Sequence, residues 1–149
     1  MENDTRSLVG FRIGGVGCAA IMAASYLAKQ NPGVLDVSIA VDLRAERLEL
    51  AQQLGATHTI DGQEYKSNLV EKIRRITGGV GADDCSGALS VIEDMIVALA
   101  PCERAVTVGA PPLTIKMSIE VFPFINGCES YRESHQGDSV SGKASYAWN

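Results

Sequence analysis

A short apolar run from Leu8 to Ile13 breaks at Gly14-Gly15-Val16-Gly17 and gives way to apolar residues at helical spacing: Val16, Ala19, Ala20, Ala23, Tyr26 and Leu27. That change of period across a glycine turn restricts the backbone to a strand, a tight turn and an amphipathic helix. The turn follows the Gly-x-Gly-x-x-Gly pattern, with Arg12 in place of its first glycine. The second glycine of that pattern lets backbone N–H groups approach a pyrophosphate, and the third lets helix and strand pack closely. Asp42 closes the next apolar run roughly 20–25 residues on, where the pattern places a ribose-binding acid. The segment therefore reads as a dinucleotide-binding turn, with an ordinary strand-to-helix turn as the plainer alternative.

The alternation continues along the chain. Asn31-Pro32-Gly33 ends the first helix, and Val37, Ile39 and Val41 alternate into a second strand. Leu43, Arg47, Leu48, Ala51 and Leu54 line a second helix that stops at Gly55. His58-Thr59-Ile60 forms a brief third strand, and Leu69, Val70, Ile73 and Ile76 mark a third helix ending at Gly78-Gly79. A fourth strand is expected near Ala82 to Cys85, although Asp83 and Asp84 make it a poor apolar run. A fourth helix follows over Val91 to Leu99, and Ala105 to Val108 is a fifth strand before the turn Gly109-Ala110-Pro111-Pro112. Strands separated by helices need crossover connections, so the chain predicts an α/β fold with a doubly wound parallel sheet, of the Rossmann type, in one domain over residues 1–136. Residues 137–149 lack helical or strand periodicity and are expected to form a loosely ordered tail.

Composition narrows the partners. The net charge of −5 over 149 residues offers no broad basic surface, which argues against nucleic acid and anionic membranes. No apolar run approaches bilayer length, and the start Met1-Glu2-Asn3-Asp4 lacks signal-peptide character, so a cytoplasmic location is expected. Cys18, Cys85, Cys102 and Cys128 show no Cys-x-x-Cys spacing; they are expected to be reduced and mostly packed inside. His58 and His135 have no sequence neighbours suited to share a metal or activate a base, so neither a metal site nor a catalytic residue is assigned.

Several segments, in order, resemble the coenzyme-binding domain of the medium-chain, zinc-type alcohol dehydrogenase family. They are Gly14-Gly15-Val16-Gly17, Val41-Asp42 with Arg47-Leu48, Leu54-Gly55-Ala56-Thr57, and Val108-Gly109-Ala110-Pro111-Pro112. Gly137-Asp138-Ser139-Val140 resembles the aryl or benzyl alcohol branch. The resemblance implies NAD as cofactor and oxidation of an alcohol to its aldehyde in the intact family. It also implies a preceding domain, holding zinc ligands and the substrate pocket, that these residues do not contain. The expectation is thus the NAD(H)-binding domain of a truncated oxidoreductase whose stand-alone activity is in question. The alternatives are a non-catalytic NAD-binding or dimerisation module, or a decayed gene product. Family members dimerise through the sheet edge, here near Phe124 to Tyr131, which implies a homodimer.

Site roles follow from both readings. The N–H groups of Gly14, Gly15, Val16 and Gly17 would face the pyrophosphate at the positive end of the helix dipole. Asp42 would accept the ribose hydroxyls of NAD, or else cap the following helix. Its charge would oppose the extra phosphate of NADP by up to about 4 kcal/mol at contact in an effective dielectric of about 20. Arg47 resembles the basic residue beside the adenosine ribose; its plainer role is a solvated helix face. Ser86 ends the fourth strand, where open sheets place ligand contacts. Val108, Gly109 and Ala110 would wall the nicotinamide, or form a plain strand-end turn. Arg12 either crowds the pyrophosphate channel or pairs with the phosphates, and crowding is favoured. The resemblance places glycine at Arg12, Cys102, Glu103 and Glu133; were all four left-handed, the cost would be roughly 4–8 kcal/mol.

Overall fold

The computed structural model describes residues 6–87, 91–108, 114 and 116–134. Strands β1 (Ser7–Phe11), β2 (Val37–Asp42), β3 (His58–Asp61), β4 (Ala82–Gly87), β5 (Leu99–Val108) and β6 (Ser130–Ser134) alternate with helices. The helices are α1 (Gly15–Gln30), α2 (Ala45–Gln53), α3 (Leu69–Ile76), α4 (Ile92–Val97) and α5 (Val121–Asn126). The strands form one sheet in the order β3-β2-β1-β4-β5-β6, and every neighbouring pair is parallel. The strand order reverses between β1 and β4, which makes the carboxyl ends of those strands the switch point of a doubly wound sheet.

Period-2 alternation places the core. Val9 and Phe11 on β1, with Ile39 and Val41 on β2, join Ile60, Ile73, Met95, Ile96 and Leu99 in the larger buried cluster. Ala40 lies between two of these and faces the other way, meeting Ile13, Ile21 and Ala51 in a smaller cluster beneath α1 and α2. Each of those two helices buries a single residue, Ile21 and Ala51 respectively. The opposite face of α1 leaves Met22, Tyr26 and Leu27 exposed.

Besides α5 and β6, which the sequence expectation did not contain, three details differ from it. First, β5 begins at Leu99 rather than Ala105, because Ala82 pairs with Leu99 and Asp84 with Arg104. Asp83 alone therefore faces Ala100 to Glu103, a bulge that holds the irregular Pro101-Cys102-Glu103 stretch inside the strand. Second, only Arg12 (φ 51°) and Cys102 (φ 69°) among the four suspected positions are left-handed, since Glu103 and Glu133 lie in strands. Cys128 (φ 53°) joins them, so three residues at about 1–2 kcal/mol each give roughly 3–6 kcal/mol of backbone cost. Third, Cys102 and Cys128 are exposed and Cys18 is half-buried, contrary to the expectation of packed thiols.

Strand β6 carries no apolar periodicity in Ser130-Tyr131-Arg132-Glu133-Ser134, yet it pairs with β5 from Arg104↔Ser130 to Val108↔Ser134. The Thr107 hydroxyl, fully buried, and the Tyr131 hydroxyl share a hydrogen bond of 2.7 Å that ties this edge strand down. The acidic stretch of β4 is explained in the same way: Asp83 accepts bonds from the N–H and hydroxyl of Ser7, both at 2.6 Å. The expected domain limit at residue 136 and the tail 137–149 lie outside the described residues.

Candidate functional site

The turn from β1 to α1 is built by neighbouring strand and helix together. Left-handed Arg12 donates its N–H to the Val41 carbonyl at 2.7 Å, which fixes the exit of β1 against β2. Gly14 is the N-cap of α1, with extended backbone and no side-chain cap. A helix start leaves its first N–H groups without intrahelical acceptors, and here no acidic side chain stands in the first turn. A Cβ built on Gly14 or Gly15 would meet nothing within 4 Å, so these backbones face open space. A Cβ on Gly17 would instead lie 2.7 Å from Cγ2 of Ile13 and 3.4 Å from its Cβ. Because Cγ2 branches from a stiff, buried residue, Gly17 is what allows α1 to sit this close to the end of β1. Val16 is largely exposed beside them.

Asp42, at the end of β2, is 4% exposed. Its Oδ1 accepts from the N–H groups of Leu43 (2.8 Å) and Arg44 (3.0 Å), and its Oδ2 faces Arg47 Nη1 at 3.4 Å. Arg44, not Asp42, is the N-cap of α2, so the carboxylate holds the strand-to-helix turn from two residues before the cap. The Arg47 side chain is half-exposed and reaches back over this turn.

A cleft of about 480 Å³ opens beyond the carboxyl ends of the strands, lined by Arg12, Asp42, Leu43, Lys66, Val91 and Asp94 among others. Lys66, Val91 and Asp94 were not singled out from the sequence, since they come from a turn and a helix distant along the chain from the glycine motif. Burial, and then the neighbouring Glu93 charge, raise the Asp94 carboxyl above the ordinary aspartate range. The cleft thus sets two carboxylates against two cationic side chains. A smaller hollow of about 270 Å³ lies at the amino ends of β2 and β3. There Ser38 and Thr57 hydrogen-bond one another reciprocally, which accounts for their polarity structurally.

Of the residues expected at the site, Gly14 to Gly17 cap the opening helix, while Asp42 and Arg47 meet at the end of β2. Ser86 pairs in register with Gly10, and Val108 ends β5, so both strands finish at the same edge of the sheet as the cleft. Gly109 and Ala110 lie outside the described residues. Among the described residues, no group of three or more His, Cys, Asp or Glu side chains is placed to hold a metal ion. No helix among them is long and apolar enough to cross a membrane.

The strand order and the glycine turn define a Rossmann-type α/β domain. The family profile described as zinc-binding dehydrogenase matches residues 15–146, and the chain belongs to that family. It is 36% identical over 110 residues to a probable alcohol dehydrogenase from Pseudomonas sp, covering 72% of this chain and 32% of that protein. An alcohol dehydrogenase zinc-binding domain protein from Burkholderia ambifaria superimposes with a TM-score of 0.76 at 34% identity, over 87% of this chain and 34% of that one. Benzyl alcohol dehydrogenase from Acinetobacter calcoaceticus gives a TM-score of 0.74 at 29% identity, over 89% and 36%. The chain spans about a third of the length of these relatives.

Proposed function

We propose that this chain is the NAD(H)-binding unit of an alcohol dehydrogenase-like oxidoreductase. The observation that carries the reading is the open, uncapped start of α1, reached from the end of β1 through Arg12, which lines the cleft together with the buried Asp42. Backbone N–H groups from Gly15 to Gly17 suit the pyrophosphate, with the dipole of a 16-residue helix behind them. Asp42 keeps lone pairs on Oδ2 for ribose hydroxyls after its two backbone bonds on Oδ1. Arg47 pairs with that same oxygen, which partly neutralises Asp42 and softens discrimination against NADP. The ends of β4 and β5, at Ser86 and Val108, with Gly109 and Ala110 beyond, are proposed for the nicotinamide side.

When bound, the coenzyme supplies the hydride acceptor, and the chain's own residues supply binding and orientation. The relatives' names suggest an alcohol, aromatic in the benzyl alcohol dehydrogenase case, as the substrate of an intact enzyme. The described residues hold neither a zinc ligand set nor an assigned proton acceptor, so we propose coenzyme binding without alcohol turnover by these residues alone. β6, an edge strand among the described residues, with the exposed apolar side chains Val121, Phe122 and Ile125 on the preceding helix, supports self-association. A calorimetric or fluorescence titration with NADH tests the core of the proposal. Saturable binding by the folded chain is expected, and none at millimolar coenzyme would overturn it.

A further inference from the structure

Two of the three left-handed non-glycine residues among those described are cysteines, Cys102 and Cys128. The β5–β6 ladder begins at Arg104↔Ser130, and the Cys102 N–H donates to the Gly127 carbonyl at 2.6 Å. That carbonyl belongs to the peptide that leads into Cys128, so the bond brings the Cys102 backbone beside the Cys128 backbone. Both cysteines lie two residues before the first pair of the ladder. A 2.6 Å contact to the carbonyl just before Cys128 keeps the two Cα atoms within roughly 7 Å, near the separation of about 4.4–6.8 Å that a disulfide spans. Both thiols are exposed and reduced in this structure, and the two backbones share nearly the same positive φ, 69° and 53°.

We propose that Cys102 and Cys128 form a reversible intrachain disulfide that staples edge strand β6 to the β5 bulge. The oxidant is a low-molecular-weight disulfide such as oxidised glutathione. One cysteine thiolate attacks its sulfur–sulfur bond and expels one glutathione thiolate. The other cysteine, after losing its proton, attacks the mixed disulfide and expels the second. The protein loses two hydrogens, and two reduced glutathione molecules carry them away. Exposure and backbone strain at both positions place the bond among the labile rather than the permanent disulfides.

The test treats the native full chain with oxidised glutathione and reads intact mass, peptide linkage and the urea unfolding midpoint. The expected product is monomeric, two hydrogens lighter and free of glutathione, with its single cross-link joining Cys102 to Cys128. Its urea midpoint rises and returns to the starting value on reduction. Cys102→Ser is expected to leave Cys128 as a stable glutathione adduct, and Cys128→Ser the converse. Two glutathione adducts on the wild-type chain, a bridge through Cys18 or Cys85, a covalent dimer, or a bridge that leaves the midpoint unmoved would each overturn the proposal.

Discussion

Asp42 and Arg47 form an ion pair of 3.4 Å across the start of α2, in which the carboxylate is buried and the guanidinium is half-exposed. The carboxylate has two tasks at once. It satisfies the Leu43 and Arg44 N–H groups, and it presents a negative wall to the cleft. Asp42→Ala removes both, so stability should fall by about 1–3 kcal/mol through the unpaired N–H groups. NADH affinity should fall at least tenfold, about 1.4 kcal/mol. Urea denaturation and NADH titration measure the two losses separately. Asp42→Asn keeps an acceptor for the turn and should restore most of the stability.

Arg47→Ala leaves Asp42 in place without its counter-charge. The ratio of NADPH to NADH dissociation constants should then rise several-fold, because unscreened repulsion between the carboxylate and the 2′-phosphate reaches about 4 kcal/mol at contact in an effective dielectric of about 20. An unchanged ratio would show that Arg47 does not screen Asp42 toward the coenzyme.

Gly17→Ala would push a methyl group against Ile13, whose Cγ2 lies 2.7 Å from the ideal Cβ position. Overpacking of a well-filled core costs about 1–3 kcal/mol. The same shift moves the first turn of α1 away from the switch point, so NADH affinity should drop together with the urea midpoint. A variant of wild-type stability and affinity would rule out close packing as the reason for glycine here.

Arg12→Gly addresses strain and crowding together. At φ 51° a glycine relieves about 1–2 kcal/mol of steric cost, less what it adds to the freedom of the unfolded chain. A net gain of about 1 kcal/mol in urea unfolding is expected. Calorimetry should also show tighter NAD binding; weaker binding would mean that the guanidinium pairs with phosphate instead.

Asp94 gives a pH signature. Its carboxyl is raised by burial and then by Glu93, so the folded chain holds that proton more tightly than the unfolded chain does. Its contribution is fully favourable below the ordinary aspartate range and is lost as pH rises through the folded value. Asp94→Asn should therefore match the wild type near pH 3 and exceed it near neutrality, by less than about 1 kcal/mol because the side chain is partly solvated and screened. Urea midpoints at the two pH values would read the difference, and equal offsets at both would remove the burial argument.

Much of the local geometry of the candidate site was legible because its signals are local. Gly14, Gly17 and Asp42 act through a turn, a close backbone contact and a strand end, each encoded within a few residues. Arg12 and Cys102 stood out as misfits, and both are left-handed. Glu103 and Glu133 looked alike in sequence but lie in strands, where their backbone is ordinary. Lys66 and Asp94 reach the cleft only because α3, α4 and the turn after β3 pack around the same edge.

Periodicity along the chain alone determined the succession of the first five strands and four helices and the parallel character of their sheet, because side-chain patterning and turn residues act over short separations. The tertiary structure decided what lies beside what. Asp83 became a tolerable strand residue once Ser7 supplied two hydrogen bonds across the sheet. The polar segment Ser130–Ser134 became a strand once β5 offered an edge. The backbone of Cys102 came to lie beside that of Cys128, 26 residues along the chain, through its bond to the Gly127 carbonyl. Each depends on backbone pairing between distant segments, which carries little side-chain signature and is realised only when the whole sheet assembles.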